Sequence, residues 1–132
     1  VRESAAQDTI LVQINPCERP GTPRSAAEIL NRLNEVSFNA TLMKELRMIA
    51  LMRQMADPGC GEGARWAAMR IHRIMTEMLT ELGYSSKLNG ERAFLYMLRA
   101  EGRRAASAFL AAHAGDLGQR STADIDALLA EC

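Results

Sequence analysis

Read for its apolar positions, the chain opens on Thr9–Ile14 (Thr-Ile-Leu-Val-Gln-Ile), a nearly unbroken, β-branched run closed by Pro16. That pattern predicts a strand buried on both faces, as in parallel sheets covered by helices. A strand cannot satisfy its own backbone groups and so requires neighbours. One other segment competes for the role: Met69–Ile74 alternates apolar and polar residues over its first four positions. The expectation is therefore that Thr9–Ile14 pairs with a copy of itself in a dimer, or belongs to a sheet whose other strands lie on sequence outside this chain.

Helical periodicity takes over after the turn-prone Glu18–Pro23. Ser25-Ala-Ala-Glu28 is a capping-box signature, in which Ser accepts from the N3 amide and Glu reaches back to the cap. No Gly or Pro then intervenes before Asp57-Pro58-Gly59. A straight helix from Ser25 to Ala56 would be ~48 Å long, longer than the roughly 36 Å diameter of a compact chain of this size. Its apolar positions also shift, from Ile29/Leu33/Val36/Ala40/Met43 to Phe38/Leu42/Leu46/Ile49, across the weak helix formers Ser37, Asn39 and Thr41. These features predict a bend or break at Ser37–Thr41, or a helix that touches two different partners.

The remaining elements follow from punctuation. Asp57–Gly63 reads as a loop. Arg65–Leu82 reads as helical in its second half, with Met75, Met78, Leu79 and Leu82 on one face and Gly83 as the stop, its first half being the candidate short strand. Glu91–Glu101 and Arg103–Ala114 read as two helices with a corner at Gly102, the second packing Phe109 and Leu110 and ending at Gly115. Ser121-Thr-Ala-Asp124 is expected to cap a last short helix carrying Ile125, Leu128 and Leu129. No internal repeat stands out.

Composition narrows the function classes. Sixteen Lys+Arg balance sixteen Asp+Glu, for a net charge of +0. Nucleic-acid binders normally carry a basic excess, so this balance argues against one, including a helix-turn-helix built on Glu91–Ala114. No apolar run approaches the roughly 18 residues of a membrane span, so the chain reads as a soluble protein without a transmembrane segment. Val1–Asp8 lacks the basic and apolar regions of a signal peptide. A chain beginning at Val1 reads as trimmed, processed or taken from within a longer protein.

The candidate chemistry is sparse. Cys17, Cys60 and Cys132 are far apart with no C-x-x-C pair, so they read as three ordinary thiols of a reducing cytoplasm rather than a metal site. Gly83-Tyr-Ser-Ser-Lys87 lacks the second glycine of a nucleophile elbow, so Ser85 and Ser86 read as loop residues. His72 sits between Arg70 and Arg73 with no carboxylate placed beside it by local spacing, and reads as a structural hydrogen-bonding group. His113 reads as a complement to its helix dipole. Arg70/Arg73 and Arg99/Arg103/Arg104 are interspersed with acids and read as solvated or internally paired. The eight methionines read as adaptable packing. The sequence thus presents no catalytic, cofactor-binding or metal-ligating residue set.

Several stretches, taken in order, carry a resemblance. They are Thr9–Pro16; Ile29–Asn39 running into Leu42–Ile49; Arg70-Ile-His-Arg-Ile74; Ser85-Ser-Lys-Leu-Asn89; Phe94-Leu95 with Leu98-Arg99; Gly102-Arg103 with Ala105-Ala106; and Leu117–Asp124. Together they resemble the C-terminal part of bacterial patatin-like phospholipases, including the domain of unknown function that follows the patatin core. The resemblance implies an α/β lipid acyl hydrolase using a Ser–Asp dyad, with Ser in G-x-S-x-G, Asp in D-G-G or D-G-A, and a Gly-rich oxyanion hole. None of those motifs occurs here. The expected fold is mainly α, with one or two short strands belonging to a patatin-type sheet in a longer parent. Residues 1–23 would be its terminal strand and turn, and 24–132 a mostly helical lobe. The implied partner is the N-terminal catalytic part, through which a lipid or other ester substrate would be met; the location would be cytoplasmic or peripheral to a membrane. The alternative is a stand-alone helical interaction module, with a homodimer mate.

Overall fold

The computed structural model describes residues 6–57, 59 and 61–130, the side chains of 84 and 85 apart. The chain is mainly helical around a small parallel sheet. In order come β1 (Asp8–Val12), α1 (Ala26–Met55), α2 (Gly61–Ala67), β2 (Arg70–Ile74), α3 (Met78–Glu81), a 3-10 turn at Tyr84–Leu88, α4 (Arg92–His113), a second 3-10 turn at Ala114–Asp116, and α5 (Ile125–Ala130).

The partner of β1 is within the chain. β1 and β2 pair in parallel, with Asp8 opposite Arg70, Ile10 opposite His72 and Val12 opposite Ile74. Parallel strands need a long crossover, here provided by α1 and α2. The ladder runs from Arg70 N to Gln7 O (2.8 Å) through to Gln13 N and Ile74 O (2.9 Å). The odd-numbered backbone groups of β1 therefore face β2, and those of Asp8, Ile10 and Val12 point the other way.

The far edge of β2 is covered. Ile71 N donates to Ser121 Oγ (3.1 Å), and Thr122 N and Ala123 N both donate to Ile71 O. Ser121 is thus taken up by β2, and the cap of α5 is Asp124, whose Oδ1 accepts from Asp126 N at 2.9 Å and from Ala127 N at 3.4 Å. Among the described residues, nothing covers the far edge of β1 in the same way. Ile10, Val12 and Ile14 are 46%, 63% and 57% exposed, whereas the apolar run had predicted burial on both faces.

One face of the sheet packs on α1. Ile71 joins Met43, Leu46, Ala50, Met69, Ile125 and Leu128 in the core, with Trp66 of α2 packed against it. On the other face, α4 lays Phe109 against His72, ring centroids 6.1 Å apart. Gly63 permits a close approach behind the core, since a Cβ there would stand 2.5 Å from the carbonyl oxygen of Asp57.

α1 begins with the expected capping box: Ser25 Oγ accepts from Glu28 N (3.2 Å) and Glu28 Oε2 accepts from Ser25 N (3.2 Å). It then runs unbroken through Ser37–Thr41. A single buried line, Glu35, Asn39, Met43, Leu46 and Ala50, follows one face throughout. Its polar end serves the segment after β1. Arg19 forks onto the buried Glu35 (2.6 Å) and donates to Thr80 O, while Asn39 Nδ2 donates to Pro16 O and Arg32 to Cys17 O, each at 2.9 Å. The two partners expected of this helix are this segment and the apolar core.

Three further expectations are corrected. α2 begins at Gly61, inside the region read as loop, and the helix expected before Gly83 is a single turn because β2 takes the preceding residues. The corner at Gly102 does not exist: α4 continues through it. An isolated glycine costs a helix about 1 kcal/mol relative to alanine, which the flanking turns outweigh. A Cβ at Gly102 would meet nothing within 4 Å. Gly102→Ala is therefore expected to stabilise the protein by about 1 kcal/mol in chemical denaturation; a corner at this position would instead make the substitution destabilising.

Candidate functional site

Chemistry gathers in two places. The first is a polar junction centred on Asp8. Its carboxylate accepts from Arg70 Nε and Nη2 (both 2.9 Å), from His72 Nε2 (3.0 Å) and from the backbone N–H of Gly118 (3.0 Å). Gly118 has φ +78°, a left-handed conformation that glycine adopts without strain and that lets this loop reach back to β1. The Arg70 guanidinium, the Gly118 amide and His72 hold the Asp8 carboxyl well below its usual range.

His72 is fully buried, its Nδ1 3.0 Å from Thr122 Oγ1. The Asp8 carboxylate only accepts, so Nε2 carries the hydrogen, and in the neutral ring Nδ1 accepts from the Thr122 hydroxyl. An Asp–His–Thr chain has the composition of a nucleophilic relay, but both ring nitrogens are engaged and the ring is sealed under Phe109. The junction joins β1, β2 and the 117–123 loop. Both ring nitrogens of His72 are hydrogen-bonded; its carboxylate partner comes from the other strand, where no local spacing could reveal it.

The second place is a cleft of about 430 Å³ at the carboxyl ends of the two strands. In open α/β sheets this end is where ligands bind, and the volume is that of a small-molecule site. Its walls are mostly apolar: Ile14 and Ile74 from the strand ends, Leu79 and Leu82 near α3, Phe94 and Leu98 from α4. Phe38 of α1 lines it too, with Lys87 Nζ 5.0 Å from its ring centroid.

The polar groups of the cleft are largely committed. Glu35 holds Arg19. Glu101 accepts from Arg104 (2.6 and 2.8 Å) and from Thr76 Oγ1, which push its carboxyl down to about 2. Gln13 spans from Arg73 Nε (2.8 Å), which its Oε1 accepts, to Asn15 O (2.9 Å) and Cys17 Sγ (3.3 Å), to which its Nε2 donates. Asn15 is 5% exposed, and its buried Nδ2 has no hydrogen-bond partner among the described residues. Periodicity passed over Gln13 and Asn15; the signal was two amides closing an apolar run at Asn-Pro.

The other candidates are dispersed. Ser86 lines the cleft, but neither histidine does; the side chain of Ser85 lies outside the described residues. His113 Nδ1 sits 2.9 Å from Asp116 Oδ2, while Asp116 Oδ1 accepts from Arg120 Nε at 2.7 Å. Arg70, Arg73 and Arg104 are engaged within the chain. Cys17 is disulfide-bonded, which corrects the reading of three free thiols: spacing along the chain did not show what folding brings near. Cys60 and Cys132 lie outside the described residues. Among the described residues no group of three His, Cys, Asp or Glu is placed to hold a metal ion. The cleft can take an apolar ligand, and the one hydroxyl hydrogen-bonded to a histidine among the described residues, Thr122, lies in the buried junction rather than on the cleft lining.

No family model, no curated protein and no solved structure matches the chain.

The depressed Asp8 carboxyl fixes the sign of a pH effect. Its ordinary value is 3.8 and its folded value is lower. Its contribution is therefore complete above about pH 4 and lost as the pH falls through the folded value. Asp8→Asn is expected to lower the melting temperature at neutral pH and to flatten part of the fall below about pH 4, with Glu101, Asp116 and Glu28, whose carboxyls are also lowered, contributing to the rest. Circular-dichroism melts of both proteins across that range measure this.

Proposed function

We propose that this chain is the non-catalytic C-terminal part of a patatin-like lipid acyl hydrolase, completing the edge of the catalytic sheet and packing a helical lobe beside its acyl-binding face. The observation that carries this reading is the open edge of β1. Two parallel strands make an incomplete sheet, and parallel sheets are normally buried on both faces. Here β2 is covered on its outer edge and both its faces, while β1 turns the backbone of Ile10 and Val12 and an apolar row of side chains outward. A strand added there would place its own carboxyl end beside the cleft, where a dyad carried by neighbouring strands would face it.

The ordered resemblance to the patatin-like C-terminal region supports the same reading, as does the lack of a nucleophile–base pair among the described residues. The cytoplasmic location rested on free thiols. The Cys17 disulfide removes that premise, since such bonds persist in oxidising compartments. Among the described residues, no helix is long and apolar enough to cross a membrane.

The native protein, captured from its source cell with an antibody to the segment Arg24–Asp57, is expected to contain a Ser–Asp dyad sequence in the same polypeptide or a bound subunit. A fluorophosphonate serine probe is expected to label that part and leave this chain unlabelled. A labelled serine within this chain would sink the proposal.

The same edge also favours a second reading, a homodimer joined through β1. Val12→Pro separates the two. The Val12 N–H faces away from β2, so proline there spares the internal ladder and blocks only the open edge. Under the first reading the sedimentation of the isolated chain is the same with or without the substitution. A dimer that Val12→Pro dissociates, from a native protein with no dyad, would favour the second.

A further inference from the structure

Helix α1 buries only one of its faces. The line Glu35, Asn39, Met43, Leu46 and Ala50 turns inward, and a surface helix normally sets polar residues opposite such a line. Here apolar residues stand there. Ile29, Leu30, Leu33 and Val36 near the start of α1 are each more than half exposed, as are Met48, Leu51 and Met55 near its end. Between them the outer face turns small or polar, at Ser37, Ala40, Thr41 and Lys44. An apolar row of this length on a solvent-facing helix marks a contact surface.

The row has the same character from either end. At the three- and four-residue steps of one helix face, its positions are symmetric about the peptide joining Ala40 and Thr41. Ala26 mirrors Met55, Leu30 mirrors Leu51, Leu33 mirrors Met48, and Ser37 mirrors Lys44. A surface that contacts itself across a two-fold axis needs this property, since residue i meets j wherever j meets i. We propose that α1 docks on α1 of a second copy of this chain, antiparallel, with the two-fold axis passing between Ala40 and Thr41. In that alignment apolar meets apolar at both ends, and the small Ala40 and Thr41 let the helices close at the middle.

Charge fixes the direction. A parallel, in-register pair would set Lys44 against Lys44. The antiparallel pair sets it against Ser37 and places the two lysines about 10 Å apart along the helices. Area fits a reversible dimer. Seven apolar side chains from each copy, more than half exposed, have roughly 50 Å² each left to bury. With the residues at the centre of the row the joint area is about 1,000 Å², the lower bound of a specific interface. Exchange with monomer at micromolar concentrations follows. The outer face of α1 is separate from the open edge of β1, and Val12→Pro tells the two apart.

Sedimentation equilibrium of the purified chain, from about one to several hundred micromolar, measures the association. A monomer–dimer equilibrium is expected, unchanged by Val12→Pro. Leu33→Glu and Met48→Lys each place one charge in an apolar pair and are expected to weaken the dimer about tenfold or more. The helical circular-dichroism spectrum is expected to be retained, because both side chains face solvent in the monomer. Combined in one chain, the two substitutions are expected to restore the dimer, since each new carboxylate then faces a new ammonium of the second copy. In a parallel pair the same double variant would set like charges together and associate worst of all. A chain that stays monomeric, a dimer indifferent to Leu33→Glu, a dimer that Val12→Pro dissociates, or a double variant that is not restored would each overturn the proposal. If the chain stays monomeric while Leu33→Glu releases it from a dyad-bearing part in the native complex, the face belongs to that part.

Discussion

The Asp8 carboxylate takes hydrogen bonds from Arg70, His72 and Gly118, and the rest of the fold depends on what those bonds bring together. Parallel strands cannot be closed by a tight turn, so β1 and β2 meet only after α1 and α2 have been ordered between them. The ladder alone gives each strand one bonded edge. Asp8 adds a charged clamp at its amino end, and through Gly118 and the His72–Thr122 contact it fixes the loop that covers β2's other edge. That loop in turn positions Asp124 to cap α5, which packs into the α1 core. One carboxylate therefore sets the register of the sheet and the docking of a distant helix.

The same economy explains the net charge of +0. Opposite charges in this protein meet one another, Asp8 with Arg70 and Glu35 with Arg19 across elements, and Glu101 with Arg104 and Asp116 with Arg120 within a turn of each other. Surface pairs of this kind contribute little stability one by one. The Arg19–Glu35 pair differs, because Glu35 is buried and Arg19 also serves the backbone of Thr80. Leaving Glu35 unpaired would strand a buried charge, so the segment after β1 is held to α1 and α3 by a contact with a strong penalty for opening.

What the sequence shows and what it hides follow from the range of each interaction. Local signals were legible: the Ser25–Glu28 box, the β-branched run of β1, the alternation of β2. The mainly helical class with one or two strands followed from them. The shift of apolar positions at Ser37–Thr41 marks no break, because the face of α1 that packs inward changes from polar (Glu35, Asn39) to apolar (Met43, Leu46, Ala50) without turning. Gly102 was read as a corner because glycine disfavours helices locally, while α4 is held by its packing on β2. Ser121 was read as a cap because its spacing fits, and β2 claimed its hydroxyl instead. At the candidate site, nothing in linear spacing joins Asp8 to His72 or shows that Asn15 would be buried without a partner; both are products of the crossover.

The open edge and the cleft are two consequences of one geometry. Strand β1 ends at Val12, yet its apolar row continues through Ile14, which leaves the sheet and enters the cleft wall. The residues that invite a further strand are thus continuous with those that surround Asn15. A strand added along β1 would cover Ile10 and Val12 and deliver its own carboxyl end to the rim of the cleft. Closing the sheet and closing the rim of the cleft would then be the same event.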